Sequence, residues 1–313
     1  MARHVANSGR GKARRNAGIV LLVLSGLFAT MPFMLMIANR HADESLAARH
    51  ETAARSMSDP TAEQELARAR QYNAGLLSDG RGRVGEQADP WSDPGEDTAA
   101  DEDATYLGLL STPKDGIMAT ILYPRLGINL PVRHGTGEAT LAAGAGHMHG
   151  TSLPVGGGST HSVISAHTGL ADRLMFDRLS LRQGRVGDLF YIKVLDRTLA
   201  YKVTDIRVVE PTDLSAIGVQ ADRDLVTLVT CTPYGINTQR LLVTGERTDM
   251  PHPAPDPAVP PGAGGDMPMI LWIGGVWAVL ALAGLAATGA LAKTVGRIRA
   301  KGRTNGSRKR KDK

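Results

Sequence analysis

The sequence predicts a mainly β domain, a barrel or sandwich, tethered at both ends by apolar helices. Three observations carry this. Seven short apolar runs, separated by clusters of Gly, Pro, Asn or Asp, recur between residues 105 and 248. No strong helices alternate with them, which argues against a doubly wound α/β fold. Two longer stretches, 17–38 and 269–291, are nearly free of polar side chains, and each can span about 30 Å of hydrocarbon as a helix.

In chain order, residues 1–16 form a basic tail with Arg3, Arg10, Lys12, Arg14 and Arg15, and the first span, Ala17–Ala38, is followed by Arg40. A basic start before an apolar core also describes a cleaved signal peptide. This core is long for one and no clear small-x-small site follows, so it reads as an uncleaved anchor. His41 to Ser58, rich in Ala, Glu and Arg, reads as helix. Asp59-Pro60 resembles an N-cap with Pro at the first helical position, opening a second helix from Thr61 to about Tyr72. Its Glu63, Glu65, Arg68 and Arg70 form a solvated face without chemistry. Ser78 to Ala104 is rich in Gly, Asp and Pro and reads as loop, completing a helical and loop segment over 39–104. It holds Asp89-Pro90-Trp91, and an indole in so polar a loop needs a surface to dock on.

The strands follow within 105–248: Met118–Tyr123, Ile128–Val132, His161–Ser165, Leu189–Val194, Leu199–Val209, Leu225–Thr230 and Leu241–Gly245. Short helical pieces fit Ala139–Ala145 and Arg173–Leu179. The segment is long enough for a core of its own. Residues 249–268 form a linker in which six prolines between Met250 and Pro261 make a stiff, extended spacer. The second span, Met269–Leu291, leads into a basic tail, 292–313. With a Pro-rich linker before it and a basic tail after it, a buried core helix is a poor account of this stretch. The positive-inside rule puts both tails in the cytoplasm and the middle of the chain outside a plasma membrane.

The formal charge is +5 and the isoelectric point is near 9.4. That suggests nucleic acid until the distribution is examined. Basic residues crowd both ends, while every charged residue from Glu86 to Asp103 is acidic. Four Phe, six Tyr and three Trp give no stacking platform for bases, so no nucleic-acid partner is expected. The basic C-terminal tail reads instead as a topology signal or a contact for anionic lipid. One Cys excludes a disulfide framework and a thiolate metal cluster. His147-x-His149 has no third carboxylate or Cys nearby, so no metal is expected.

The single cysteine organises the chemistry. Leu225 to Thr230 delivers Cys231, the turn-rich segment Thr232–Thr238 follows, and Arg240 opens the next strand. A buried structural Cys is the alternative, since free cysteine is among the most buried residue types. His167 stands at a strand end in Ser165-Ala166-His167-Thr168-Gly169. A Cys nucleophile needs a partner that lowers its pKa or supplies a proton. Acyl transfer needs a donor where oxyanion charge develops, which Arg240 supplies. No Gly-x-Ser-x-Gly elbow occurs, which disfavours a serine hydrolase.

Thr227-Leu228-Val229-Thr230-Cys231-Thr232-Pro233-Tyr234-Gly235, continuing to Arg240-Leu241-Leu242-Val243, resembles the signature of sortases, closest to the class C, pilus-assembling group. Tyr123-Pro124-Arg125-Leu126-Gly127-Ile128 with Leu130-Pro131-Val132 is similar to the family's first strand pair. His134-Gly135-Thr136, Gly146-His147, Gly150 to Gly157 and Ser159 to Val163 resemble the class C run before the catalytic histidine. Phe176, Leu179, Gly187-Asp188 and Val209-Glu210-Pro211-Thr212 fit as well. One position departs: Thr168 stands where this group often has Arg.

The resemblance implies a sortase-type barrel of about eight strands and a cysteine transpeptidase without cofactor. Cys231 matches the nucleophile that forms a thioacyl intermediate with the Thr of a Leu-Pro-x-Thr-Gly-type sorting signal. His167 matches the general acid and then base, and Arg240 the group that holds substrate and oxyanion. Asp89-Pro90-Trp91 resembles the class C lid, in which the acid meets the active-site Arg and the aromatic covers the Cys. The implied partners are pilin or surface proteins carrying the sorting signal, with a pilin Lys amine as acceptor. A wall-anchoring sortase and a non-enzymatic membrane-anchored scaffold are the alternatives.

Overall fold

Short apolar runs fold the middle of the chain into eight strands. They are β1 Ala119–Tyr123, β2 Ile128–His134, β3 Ala145–His147, β4 Thr160–Ser165, β5 Leu189–Val194, β6 Arg197–Val209, β7 Asp224–Thr232 and β8 Gln239–Thr248. The computed structural model describes residues 2–78, 98–111, 115–213, 215–251 and 266–286, without the side chains of 2–12, 98 and 99. The strands close into a barrel in the order β1-β2-β3-β4-β7-β8-β6-β5, so the mainly β expectation holds. Two neighbouring pairs are parallel, β2 with β3 and β4 with β7, and the rest are antiparallel. Parallel neighbours need crossovers. The first carries a short helix and the second carries β5 and β6. Strands β4 and β7 are buried almost without interruption, as strands covered on both faces are.

The helices, in chain order, are α1 Ala2–Arg55, α2 Asp59–Ser78, α3 Thr98–Glu102, α4 Ala104–Leu107, α5 Glu138–Ala143, α6 Asp177–Ser180 and α7 Met267–Ala286. Several differ from the sequence reading. The first span and the helix after it are one element, because no Gly or Pro interrupts residues 38–55. Helix α2 begins earlier than Thr61. The Ser58 carbonyl accepts from the amides of Thr61 and Ala62, which puts Asp59 and Pro60 inside the first turn. Part of the expected 78–104 loop is helical at α3. The piece expected over Ala139–Ala145 stops at Ala143, and Ala145 opens β3.

By contacts the chain forms two units, one from Met1–Leu35 with Asp266–Lys313 and one from Met36–Gly265. The first holds apolar helix with outward-facing Leu21, Leu24, Phe28, Leu271, Val279 and Leu285. Segments Ala13–Arg55 and Met267–Ala286 are long and apolar enough to cross a membrane. In the second unit, Leu66 and Ala69 of α2 join Ile121, Phe190, Tyr201 and Leu228 in the main core. Close packing there requires glycine at two points. A Cβ on Gly146 would lie 2.2 Å from the Gly135 carbonyl oxygen, and one on Gly245 2.4 Å from the Phe190 ring. The later part of α1 is tied to the barrel by polar contacts, His50 to Asp115 at 2.8 Å and Glu51 to Lys193 at 2.9 Å.

Candidate active site

Three neighbouring strands bring the sequence-singled residues into one rank. Cys231 of β7 pairs directly with Arg240 of β8. On the other side, β4 runs parallel to β7 with Ser165 opposite Val229. The Ala166 amide donates to the Val229 carbonyl at 3.2 Å, and Thr230 Oγ1 donates to the Ala166 carbonyl at 2.9 Å. β4 ends at Ser165, and these two bonds carry the chain on beside β7, so that His167 follows just past the strand end on the side of Cys231. Paired residues on adjacent strands have Cα atoms about 5 Å apart. The rank therefore reads His167, Cys231, Arg240.

Strand alternation then decides which face it uses. Val226 and Leu228 of β7 point into the main core. Val229 joins Val163 of β4, Leu242 of β8, Met148 and Ile217 in a second apolar cluster on the opposite face. Cys231 and Arg240 share the parity of Val229 and Leu242. The rank thus stands on the outer wall of the barrel, at the end of an apolar floor. Ile217, in the connection from β6 to β7, roofs that floor.

Short polar contacts hold each member. Cys231 is 5 % exposed, and its carbonyl accepts from Ser180 Oγ at 2.8 Å. Arg240 is 6 % exposed. Its Nη1 donates to the carbonyls of Asn237 and Gln239, both at 3.1 Å, which turns the guanidinium along the strand end. His167 is half-buried, and its carbonyl accepts from the Phe176 amide at 3.1 Å. Burial pushes the imidazole below its ordinary pKa, with Glu138 of α5 pulling the other way. The ring is therefore neutral near pH 7 and can accept a proton. The rank holds a thiol, a neutral imidazole and a guanidinium, the parts nucleophilic acyl transfer requires.

The sequence reading missed some of the support around this rank. Asp177 accepts from the amides of Gly169 at 2.9 Å and Met175 at 2.7 Å, and so shapes the loop that starts at His167. Ser165 and Thr168, two buried residues flanking His167, each have a hydroxyl with no hydrogen-bond partner. An Asp in the first turn of a short helix is a common start signal, so Asp177 was findable. The hydroxyls carry no such signal. His147 and His149 have partners of their own. The His147 ring lies 2.9 Å from the Tyr106 hydroxyl and 2.9 Å from the Ser152 carbonyl, and His149 lies 3.1 Å from Asp103. The expected lid residues Asp89, Pro90 and Trp91 lie outside the described residues.

Comparison with known proteins places this architecture. The sortase domain family matches residues 121–248. The structure of sortase C-1 from Actinomyces oris is 45 % identical with a TM-score of 0.53, over 60 % of this chain and 99 % of that one. Sortase C of Streptococcus pneumoniae, described in terms of catalysis and pilin substrate specificity, is 35 % identical with a TM-score of 0.56, over 66 % of this chain and 97 % of that one. Among curated relatives, sortase A of Listeria monocytogenes is 27 % identical over 139 residues, 44 % of this chain. The chain spans 60 % of the length of that relative.

Proposed function

The chain belongs to the sortase family, and from that premise we propose that it is a membrane-anchored cysteine transpeptidase that polymerises pilins. The pairing of Cys231 with Arg240 on adjacent strands, with His167 just past the end of the neighbouring β4, supports this most strongly. Cys231 Sγ attacks the Thr carbonyl of a Leu-Pro-x-Thr-Gly-type signal. Neutral His167 takes the thiol proton as the C–S bond forms. Arg240 holds the carbonyl oxygen as negative charge develops there. Breaking the Thr–Gly bond releases the Gly amine, which takes the proton back from His167, and a thioacyl enzyme remains. A Lys ε-amine of another pilin attacks that thioester. His167 then removes a proton from the attacking amine, the thiolate leaves, and an isopeptide bond results.

The distance along the strands supports the signal's length. From Thr at Cys231, three residues of extended chain reach about 10 Å. Along the strands this leads from the rank toward Val229, Leu242 and Ile217, an apolar place for the leading Leu. Two helices of membrane-spanning length and composition, with a basic tail outside each, support an anchored enzyme whose domain 105–248 faces outward. Enzyme and anchored precursors then share one surface, which raises their effective concentration. Asp89-Pro90-Trp91 is proposed as a lid over this site. The low exposure of Cys231 fits a thiol that must be uncovered before substrate reaches it.

The test is to incubate the full chain, in detergent, with a Leu-Pro-Ala-Thr-Gly peptide and a lysine-containing pilin peptide. Mass spectrometry should find a thioacyl adduct on Cys231 and then an isopeptide product. Absence of an adduct, even after Asp89→Ala with Trp91→Ala, would leave the scaffold reading. Turnover only with a peptidoglycan cross-bridge amine would mean wall anchoring.

A further inference from the structure

Beneath the roof of the groove lies a buried histidine that the proposed chemistry does not use. His161 of β4 is 1 % exposed. Its Nδ1 lies 2.9 Å from the Gly218 carbonyl and its Nε2 2.7 Å from Thr227 Oγ1 of β7. Thr227 Oγ1 is in turn 2.8 Å from Thr244 Oγ1 of β8. Gly218 follows Ile217, the roof residue packed on Val163, Val229 and Leu242.

The donors can be assigned from the partners. A carbonyl only accepts, so Nδ1 carries the ring proton and donates to Gly218. Burial, reinforced by the nearby Arg223 charge, keeps the ring neutral, while the Gly218 bond opposes this only in part. Nε2 must then accept from the Thr227 hydroxyl, and Thr227 Oγ1 accepts from Thr244. One directed chain, Thr244 to Thr227 to His161 to Gly218, runs from the barrel wall to the roof.

We propose that His161 is a positioning residue that sets the height of the 215–221 roof over the apolar floor, and thereby the affinity for the leading apolar residue of the peptide substrate. The specificity part rests on the transpeptidase reading; the latch itself does not. His161 touches neither the rank nor the scissile bond, so its loss should weaken binding and spare chemistry. Other contacts secure the ends of the same connection. Glu210 accepts from Gln239 at 2.9 Å, and Arg223 pairs with Glu246 at 2.7 Å. The Asp222 amide also donates to Ser159 Oγ at 2.9 Å; within 215–221, the described contacts that seat the roof on the barrel are the His161 latch and the packing of Ala216 and Ile217.

Two isosteres separate the ring's nitrogens. An Asn amide nitrogen falls near the place of Nδ1, and a Gln amide falls near that of Nε2. His161→Asn should keep the Gly218 bond and His161→Gln should lose it. With the full chain in detergent micelles, hydrolysis of a Leu-Pro-Ala-Thr-Gly peptide gives KM and kcat, and hydrogen exchange reports amides 215–221. His161→Gln should raise KM at least fivefold, leave kcat within twofold, and speed exchange at 215–221 at least tenfold. His161→Asn should stay near wild type in all three. Equal behaviour of the two variants, or unchanged exchange in His161→Gln, would overturn the latch. If His161→Gln fails to fold, Thr227→Val decides, because it removes the hydroxyl that orients the ring; wild-type exchange at 215–221 would then overturn the proposal. A wild-type protein that forms no thioacyl adduct would refute the transpeptidase reading, while the exchange measurement would still decide the latch.

Discussion

At the residue scale, the thiol and the guanidinium have separable tests. Cys231→Ala removes one sulfur atom from a buried position and little volume. Thioacyl formation and pilin polymer should vanish, with the melting temperature held within a few degrees. High-molecular-weight ladders surviving in that variant would remove Cys231 from the mechanism. Arg240→Lys keeps the charge but loses the planar fork of donors, of which Nη1 alone already serves the Asn237 and Gln239 carbonyls. Loss of an oxyanion donor costs about 10²–10³ in kcat, and a drop of that size is expected. Near-normal turnover would make Arg240 a structural clip for the loop end. These residues were legible in the sequence because chemistry restricts them to few types. One Cys at a strand end, followed by an Arg opening the next strand, left little choice. His161 was not singled out from nine histidines, since nothing local marks a residue whose partners lie 57 and 66 positions away.

At the element scale, the strands with strong apolar runs were read to within a few residues of their ends, the largest miss being β8, which runs Gln239–Thr248 rather than Leu241–Gly245. The failures have physical causes. Strand β3 is three residues long, includes Gly146, and owes its form to β2 and β4 on either side. Such a strand has no periodicity of its own. The expected helix before it therefore ran on to Ala145. Helix α6 is short too, yet its neighbourhood shapes both catalytic candidates. Ser180 holds the Cys231 carbonyl, Asp177 holds two amides of the loop after His167, and Phe176 binds the His167 carbonyl. Asp177→Ala frees two amides and loosens the histidine's loop. We expect kcat to fall at least tenfold while iodoacetamide still labels Cys231 at the wild-type rate. A parallel fall in both would mean general loss of fold. The lid is tested by the opposite signature. Asp89→Ala with Trp91→Ala should speed Cys231 alkylation and peptide hydrolysis together, and alkylation at the wild-type rate would refute the lid.

At the scale of the whole molecule, the barrel is built around histidines that must stay neutral. Burial drives His147 down to about 3 and also lowers His134 and His161. In the unfolded chain each titrates near 6.5. Below that value the unfolded state binds protons that the folded state does not, so stability falls as pH falls. The loss begins near pH 6.5 and, for His147, continues until the folded group itself titrates near 3. Each unit of that gap is worth about 1.4 kcal/mol, so His147 alone costs roughly 5 kcal/mol at the acid end. Whole domains have only about 5–15 kcal/mol in hand. The protein should therefore unfold in acid well before its carboxylates are fully protonated. His147→Gln sharpens the test. It forfeits the Nδ1 contact to Tyr106, while its amide can keep the Ser152 carbonyl, so it should be less stable than wild type at pH 7.5. It also removes the titrating group, so its stability should fall less steeply between pH 6.5 and 4. Urea unfolding at several pH values measures both quantities. An unchanged slope in the variant would show that His147 is not held neutral, and acid lability would then have to come from the other buried histidines or the carboxylates.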